Sequence, residues 1–134
     1  MILDTSVVIG ILRDRKFFER IRERIDENVR ITSITAYELL RGAFYVKLKH
    51  GRDHELRQIE SFLSEIEILP FTSKDSEISA RLWAELKEKG YDVNDANIMI
   101  SAVAIREHER LLTLDGDFEL IRHVSELDVD VVNG

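Results

Sequence analysis

The chain has 134 residues, the size of one folding unit, and its 44% hydrophobic content is enough for one core flanked by helices. It has no cysteine, which excludes disulfides, thiolate metal sites and cysteine nucleophiles. No apolar run approaches the ~20 residues of a membrane-spanning helix, and no basic leader precedes Asp4, so a soluble, cytoplasmic protein with no membrane partner is expected.

The net charge of −7 argues against gripping nucleic acid by bulk electrostatics. Its distribution is less hostile. Residues 13–57 carry 12 Lys/Arg against 8 Asp/Glu, whereas the remainder carries 7 against 18. An acidic protein can still bind RNA where divalent cations neutralise its site.

Short β-branched runs alternate with longer helical stretches, the pattern of an α/β fold with a largely parallel sheet. Met1-Ile2-Leu3-Asp4 reads as a buried strand, and Thr5-Ser6 supplies capping hydroxyls for a helix over Val7–Leu12. Phe17, Phe18, Ile21 and Ile25 recur at helical spacing to about residue 27. Val29–Ile34 is a second strand. Thr35 opens a helix running to about Leu48, and Gly51-Arg52-Asp53 separates it from another over His54–Ser64.

Ile66–Phe71, with Pro70, is a third strand. A long helix over Lys74–Lys89 stops at Gly90. On it Trp83 is read as part of a core stripe with Ile78, Leu82 and Leu86. A helix over Asn94–His108, a strand over Leu111–Leu114, a turn at Asp115-Gly116-Asp117, a short helix over Phe118–Val124 and an edge strand over Val129–Val132 complete one domain spanning residues 1–134.

Four acidic positions fall where strands end or helices begin. Asp4 ends the first strand, Glu38 lies in the first turn of a helix, Asp95 starts one, and Asp115 with Asp117 follows a strand. The carboxyl ends of parallel strands gather on one sheet edge, where ligands bind. Converging carboxylates repel, by about 4 kcal/mol for a pair ~4 Å apart at an effective dielectric of 20. A cluster persists only through protonation or a divalent cation, and oxygen donors select Mg²⁺ or Mn²⁺. Phosphoryl transfer is the chemistry that uses such ions. Each acid also has a local explanation: Thr35-x-x-Glu38 matches a capping box, Asp95 a first-turn acid and Asp115-Gly116 a turn.

At these residues the chain resembles a PIN domain, and specifically the VapC-like ribonuclease toxins of prokaryotic toxin–antitoxin pairs. Met1-Ile2-Leu3-Asp4-Thr5-Ser6 is similar to the family's opening strand ending in D-T/S-S. Thr35-Ala36-Tyr37-Glu38-Leu39-Leu40-Arg41-Gly42 resembles its T-x-x-E-L-x-x-G segment. Asp95-Ala96-Asn97-Ile98-Met99-Ile100-Ser101-Ala102 resembles its D-x-x-I-A-A-x-A helix, with Met99 and Ile100 where small residues are usual. Thr113-Leu114-Asp115-Gly116-Asp117-Phe118 resembles its closing T-x-D/N-x-D-F.

The resemblance implies a three-layer α/β/α sandwich and an endoribonuclease acting on tRNA, rRNA or mRNA with Mg²⁺ or Mn²⁺. It also implies a homodimer and a small VapB-like antitoxin. Asp4, Asp95 and Asp115 are expected to hold the ion, and Glu38 to hold a second ion or act as base. Asp117 is expected beyond or through water. Thr5, Ser6 and Thr113 are expected to orient carboxylates or the ion's waters. Arg41 has two readings, a carboxylate partner or an RNA phosphate contact. Asn94, Asn97 and Ser101 form a polar stripe that either faces the site or bonds between helices.

Phe17, Phe18, Phe44 and Tyr45 are either core or a groove for an antitoxin peptide or a second copy. His50, His54, His108 and His123 are read as surface or packing residues. The competing functions are a non-catalytic RNA- or protein-binding module and a phosphatase with Asp4 as nucleophile. The latter pattern wants a second Asp two residues on, where Ser6 stands.

Overall fold

The computed structural model describes residues 1–26 and 28–133, and its elements follow the expected alternation. In order they are β1 (Ile2–Leu3), α1 (Thr5–Arg13), α2 (Arg15–Ile21), a 3-10 turn (Arg22–Arg24), β2 (Arg30–Thr32), α3 (Ser33–His50), α4 (His54–Glu65), β3 (Glu67–Leu69), α5 (Ser73–Glu88), α6 (Asp95–Glu107), β4 (Leu111–Thr113), α7 (Asp117–His123) and β5 (Val129–Val131). The expected end of the second helix near residue 27 lies outside the described residues. The helix itself gives way to the 3-10 turn after Ile21.

The strands pair in the order β3-β2-β1-β4-β5, and every pairing is parallel. The chain builds outward from β1 to β3, then returns through α5 and α6 to lay β4 on the other side of β1. The switch point of this doubly wound sheet therefore lies between β1 and β4, where a crevice opens at the carboxyl ends. Ile2 stands opposite Leu111 and Leu3 opposite Leu112, which carries Asp4 beside Thr113.

Alternation along each strand divides the core in two. Ile2, Leu111 and Val129 pack with Leu82, Leu86, Ile100, Val103, Phe118 and Ile121 against α5, α6 and α7. Leu3, Ile31 and Leu112 pack with Val7, Val8, Phe17, Ile21, Leu39 and Ile59 against α1 to α4. This is a three-layer α/β/α sandwich. Gly51 (φ 68°) and Gly90 (φ 77°) end α3 and α5 in the left-handed conformation that costs a side-chain-bearing residue most.

Three local expectations are corrected. Asp4, rather than Thr5 or Ser6, caps α1. Thr32 caps α3, its hydroxyl accepting from the Thr35 backbone N–H, so Thr35 is a buried interior residue and Glu38 sits in the second turn. The capping box occurs at Thr72 and Asp75 instead. Trp83 is 48% exposed, because Ile78, Leu82 and Leu86 repeat every four residues while Trp83 is rotated about 100° from Leu82.

Asp75 is fully buried, and its second oxygen receives Arg106 Nε of α6 at 2.6 Å. Arg106 also donates to the Pro70 carbonyl at 3.0 Å. This ion pair ties the first turn of α5 to the last turn of α6. Pro70 itself falls just beyond β3, where its missing N–H leaves no gap in the ladder.

Candidate active site at the sheet switch point

Asp4 leaves the end of β1 and lies against the end of β4. Only 3% of it is exposed. Ser6 Oγ and Thr113 Oγ1 each donate to Asp4 Oδ2 at 2.7 Å. Each hydroxyl is itself oriented by backbone: Ser6 Oγ accepts from the Leu114 N–H at 3.0 Å, and Thr113 Oγ1 from the Asp115 N–H at 2.9 Å. Two hydroxyls thus convert backbone geometry at the ends of β1 and β4 into a fixed carboxylate.

Burial pushes the Asp4 carboxyl above its usual range, and the hydrogen bonds from Ser6, Thr113 and the backbone offset this only in part. Neither Asp4 nor Asp115 has an ion-pair partner among the described residues. A buried carboxylate without a counter-charge is an energetically costly arrangement that a bound cation would relieve.

Asp115 begins where β4 ends. Its Oδ1 accepts from the Asp117 N–H at 2.9 Å, and its Oδ2 from Asn97 Nδ2 at 2.9 Å. Glu38 comes in from α3. Thr5 Oγ1 donates to Glu38 Oε1 at 2.7 Å, with Thr35 Oγ1 3.0 Å from the same hydroxyl. Because Thr5 follows Asp4 directly, this bond ties Glu38 to the same strand end. Arg41 reaches Glu38 Oε2 at 3.6 Å and stacks over Tyr37, while remaining 60% exposed on its side chain.

The structure thus joins Asp4, Asp115 and Glu38 through Thr5, Ser6 and Thr113, and leaves two predicted acids outside that network. Asp117 is exposed at the start of α7. Asp95 is exposed and lines a shallow surface groove with Ser79, Ala80, Trp83 and Met99. The α6 side chain that reaches Asp115 is that of Asn97, two positions on. Its place on a polar stripe was legible in the sequence; its bond to Asp115 was not, because a search for acids passes over an amide.

Among the described residues, no three Asp, Glu or His side chains are close enough to hold a metal ion as they stand. The donor chemistry nonetheless suits a hard divalent cation: all the candidate donors are oxygens, and one of them is a buried, uncompensated carboxylate.

A parallel α/β/α sandwich with an acidic crevice at its switch point defines a small class of carboxylate-site proteins, and the comparisons identify which. The chain belongs to the PIN domain family, whose model matches residues 1–124. It is 30% identical over 123 residues to the tRNA(fMet)-specific endonuclease VapC of Salmonella typhimurium strain LT2, covering 81% of this chain and 89% of that one. It is 29% identical over 102 residues to ribonuclease VapC3 of Methanocaldococcus jannaschii, covering 76% and 95%.

Among solved structures, the DNA-bound VapBC of Salmonella typhimurium superposes with a TM-score of 0.81 at 28% identity, over 97% of this chain and 96% of that one. VapBC-5 of Mycobacterium tuberculosis, a member of the VapBC toxin–antitoxin family, gives 0.78 at 29% identity, over 98% and 97%.

Proposed function

We propose that this protein is a VapC-like endoribonuclease that needs Mg²⁺ or Mn²⁺ and is the toxin of a toxin–antitoxin pair. The observation that carries the reading is the buried, unpaired Asp4 carboxylate, bonded by Thr113 and Ser6 and linked through Thr113 to Asp115, in a chain of the PIN family. The names of its ribonuclease relatives support the substrate class.

Asp4 and Asp115 would hold the cation, with Glu38 at the edge of the same crevice. When bound, the cation lowers the pKa of a water and stabilises charge on the scissile phosphate. The residues of the chain do the rest. Ser6 and Thr113 keep Asp4 Oδ2 in place. Thr5 holds Glu38 through Oε1, and once Arg41 turns from Oε2 to the RNA, Oε2 would take up the proton of the attacking water. Arg41, exposed beside Glu38, meets the phosphate backbone of the RNA. Attack in line on the phosphodiester leaves a 5′-phosphate and a 3′-hydroxyl.

The partner has a matching surface. A groove between α1, α3 and α4 is floored by Ile9, Leu12, Leu39, Ala43, Val46 and Ile59 and runs to Glu38. Phe44, Tyr45 and Leu48 are exposed on α3 nearby, whereas Phe17 is buried in the core. An amphipathic segment of a VapB-like antitoxin fits such a groove, and a second copy of the chain completes the expected dimer. An RNA substrate and an antitoxin partner fit a cytoplasmic protein.

The test is the chemistry of the product ends. Purified protein incubated with tRNA and Mn²⁺ should release fragments that a ligase joins through a 5′-phosphate. Fragments ending in a cyclic phosphate, or RNA binding without any cleavage, would contradict the mechanism.

A further inference from the structure

We infer that Asn97, not Asp95, is the α6 side chain of the active site, a positioning residue that fixes the Asp115 carboxylate while leaving the site one negative charge short. The inference deepens the nuclease reading and rests on it for the identity of the site.

Three observations carry it. At about 3.6 residues per turn, two positions on a helix are about 200° apart, so Asp95 and Asn97 leave opposite faces of α6. Asp95 accordingly lies in the groove beside Trp83, while Asn97 is buried and donates to Asp115 Oδ2 at 2.9 Å. The pattern of small residues agrees. Laid on Asn97 rather than Asp95, the motif D-x-x-I-A-A-x-A places Ile100 on its isoleucine and Ser101, Ala102 and Ala104 on its small positions, all of them buried. The bulky Met99 and Ile100 then no longer stand where small residues are needed.

The first backbone turn of α6 is also built around Asn97. Asn94 Oδ1 caps the helix by accepting from the Asn97 N–H at 2.8 Å, which fixes the backbone from which the Asn97 side chain reaches Asp115. A carboxylate in its place would sit within hydrogen-bonding reach of Asp115 and repel it. The amide instead donates, so the pair is stable without a cation. The same neutrality removes one anionic donor, consistent with the lack of a three-acid cluster among the described residues. Cation affinity rises with the charge of the ligand set, so this site binds its ion weakly and a fourth acid would tighten it.

The test compares Asn97→Asp, Asn97→Ala and Asp95→Asn with the unaltered protein by thermal melting in chelator, by melting across a Mn²⁺ titration, and by RNA cleavage. Asn97→Asp should melt several degrees lower in chelator, recover on adding Mn²⁺, and bind the ion on the order of tenfold more tightly. Asn97→Ala should lower kcat with KM little changed, and Asp95→Asn should match the unaltered protein throughout. The inference is overturned if Asn97→Asp melts normally in chelator and shows no larger Mn²⁺ shift, or if Asp95→Asn weakens the Mn²⁺ response. Should the unaltered protein neither cleave RNA nor respond to Mn²⁺, the nuclease reading fails, and melting in chelator still judges Asn97 alone.

Discussion

Thr113 and Asp4, 109 positions apart in the chain, are joined by a fully buried hydrogen bond of 2.7 Å from Oγ1 to Oδ2. The same threonine oxygen accepts the Asp115 backbone N–H, so one hydroxyl orients two acids. Thr113→Val keeps the shape and removes both interactions. It should cost about 1–3 kcal/mol of stability for the polar groups left unpaired. Cleavage should fall roughly 10- to 100-fold, as for loss of a residue that orients a metal ligand. Urea unfolding and steady-state kinetics on the one variant check both numbers.

Asp4→Asn separates stability from activity. Burial raises the Asp4 carboxyl, so in the folded state the proton is held more tightly than in the unfolded chain. Below the unfolded pKa both states are protonated and nothing is lost. As pH rises from there through the folded pKa, the unfolded state ionises first and the folded state is progressively destabilised. Removing the charge should therefore leave cleavage undetectable while Tm in chelator at pH 7 equals or exceeds that of the unaltered protein. The difference should shrink toward pH 4. A variant less stable at pH 7 than at pH 4, relative to the unaltered protein, would contradict the burial argument.

Arg41 is exposed, and its ion pair with Glu38 should contribute no more than about 1 kcal/mol to folding. Arg41→Ala should leave Tm nearly unchanged, raise KM for RNA a few-fold and reduce the salt dependence of binding by about one unit of slope. Measuring KM at several salt concentrations distinguishes the phosphate contact from a purely structural pairing.

The Asp75–Arg106 pair behaves differently, because Asp75 is fully buried. Arg106→Met should destabilise the fold by about 3–5 kcal/mol, since it strands a buried carboxylate. The double variant with Asp75→Asn should recover part of that loss in the same urea titration.

What the residues alone revealed follows from how local each signal is. Alternating β-branched runs and helical periods placed the strands to within a few residues, and the meeting of Asp4, Thr113 and Asp115 at neighbouring strand ends was legible because a strand end fixes direction. Glu38 was found in the right helix but the wrong turn. Thr35 looks like a cap in isolation, yet the hydroxyl that binds the free N–H belongs to Thr32, and only tertiary burial of Thr35 decides between them. Asp95 and Asn97 differ by a rotation about the α6 axis, and a rotation is visible only once the helix has been laid against the sheet. The buried small residues 101, 102 and 104 carried that information in the sequence, in the form of a spacing rather than a charge.

The role of Asp4 in a cation site is tested most directly by RNA cleavage by the unaltered protein and by Asp4→Asn across a Mn²⁺ titration, with a chelator-treated control. Cleavage should appear with Mn²⁺, vanish with chelator and be absent from Asp4→Asn at every concentration. Cleavage that persists in chelator, or full activity in Asp4→Asn, would contradict that role.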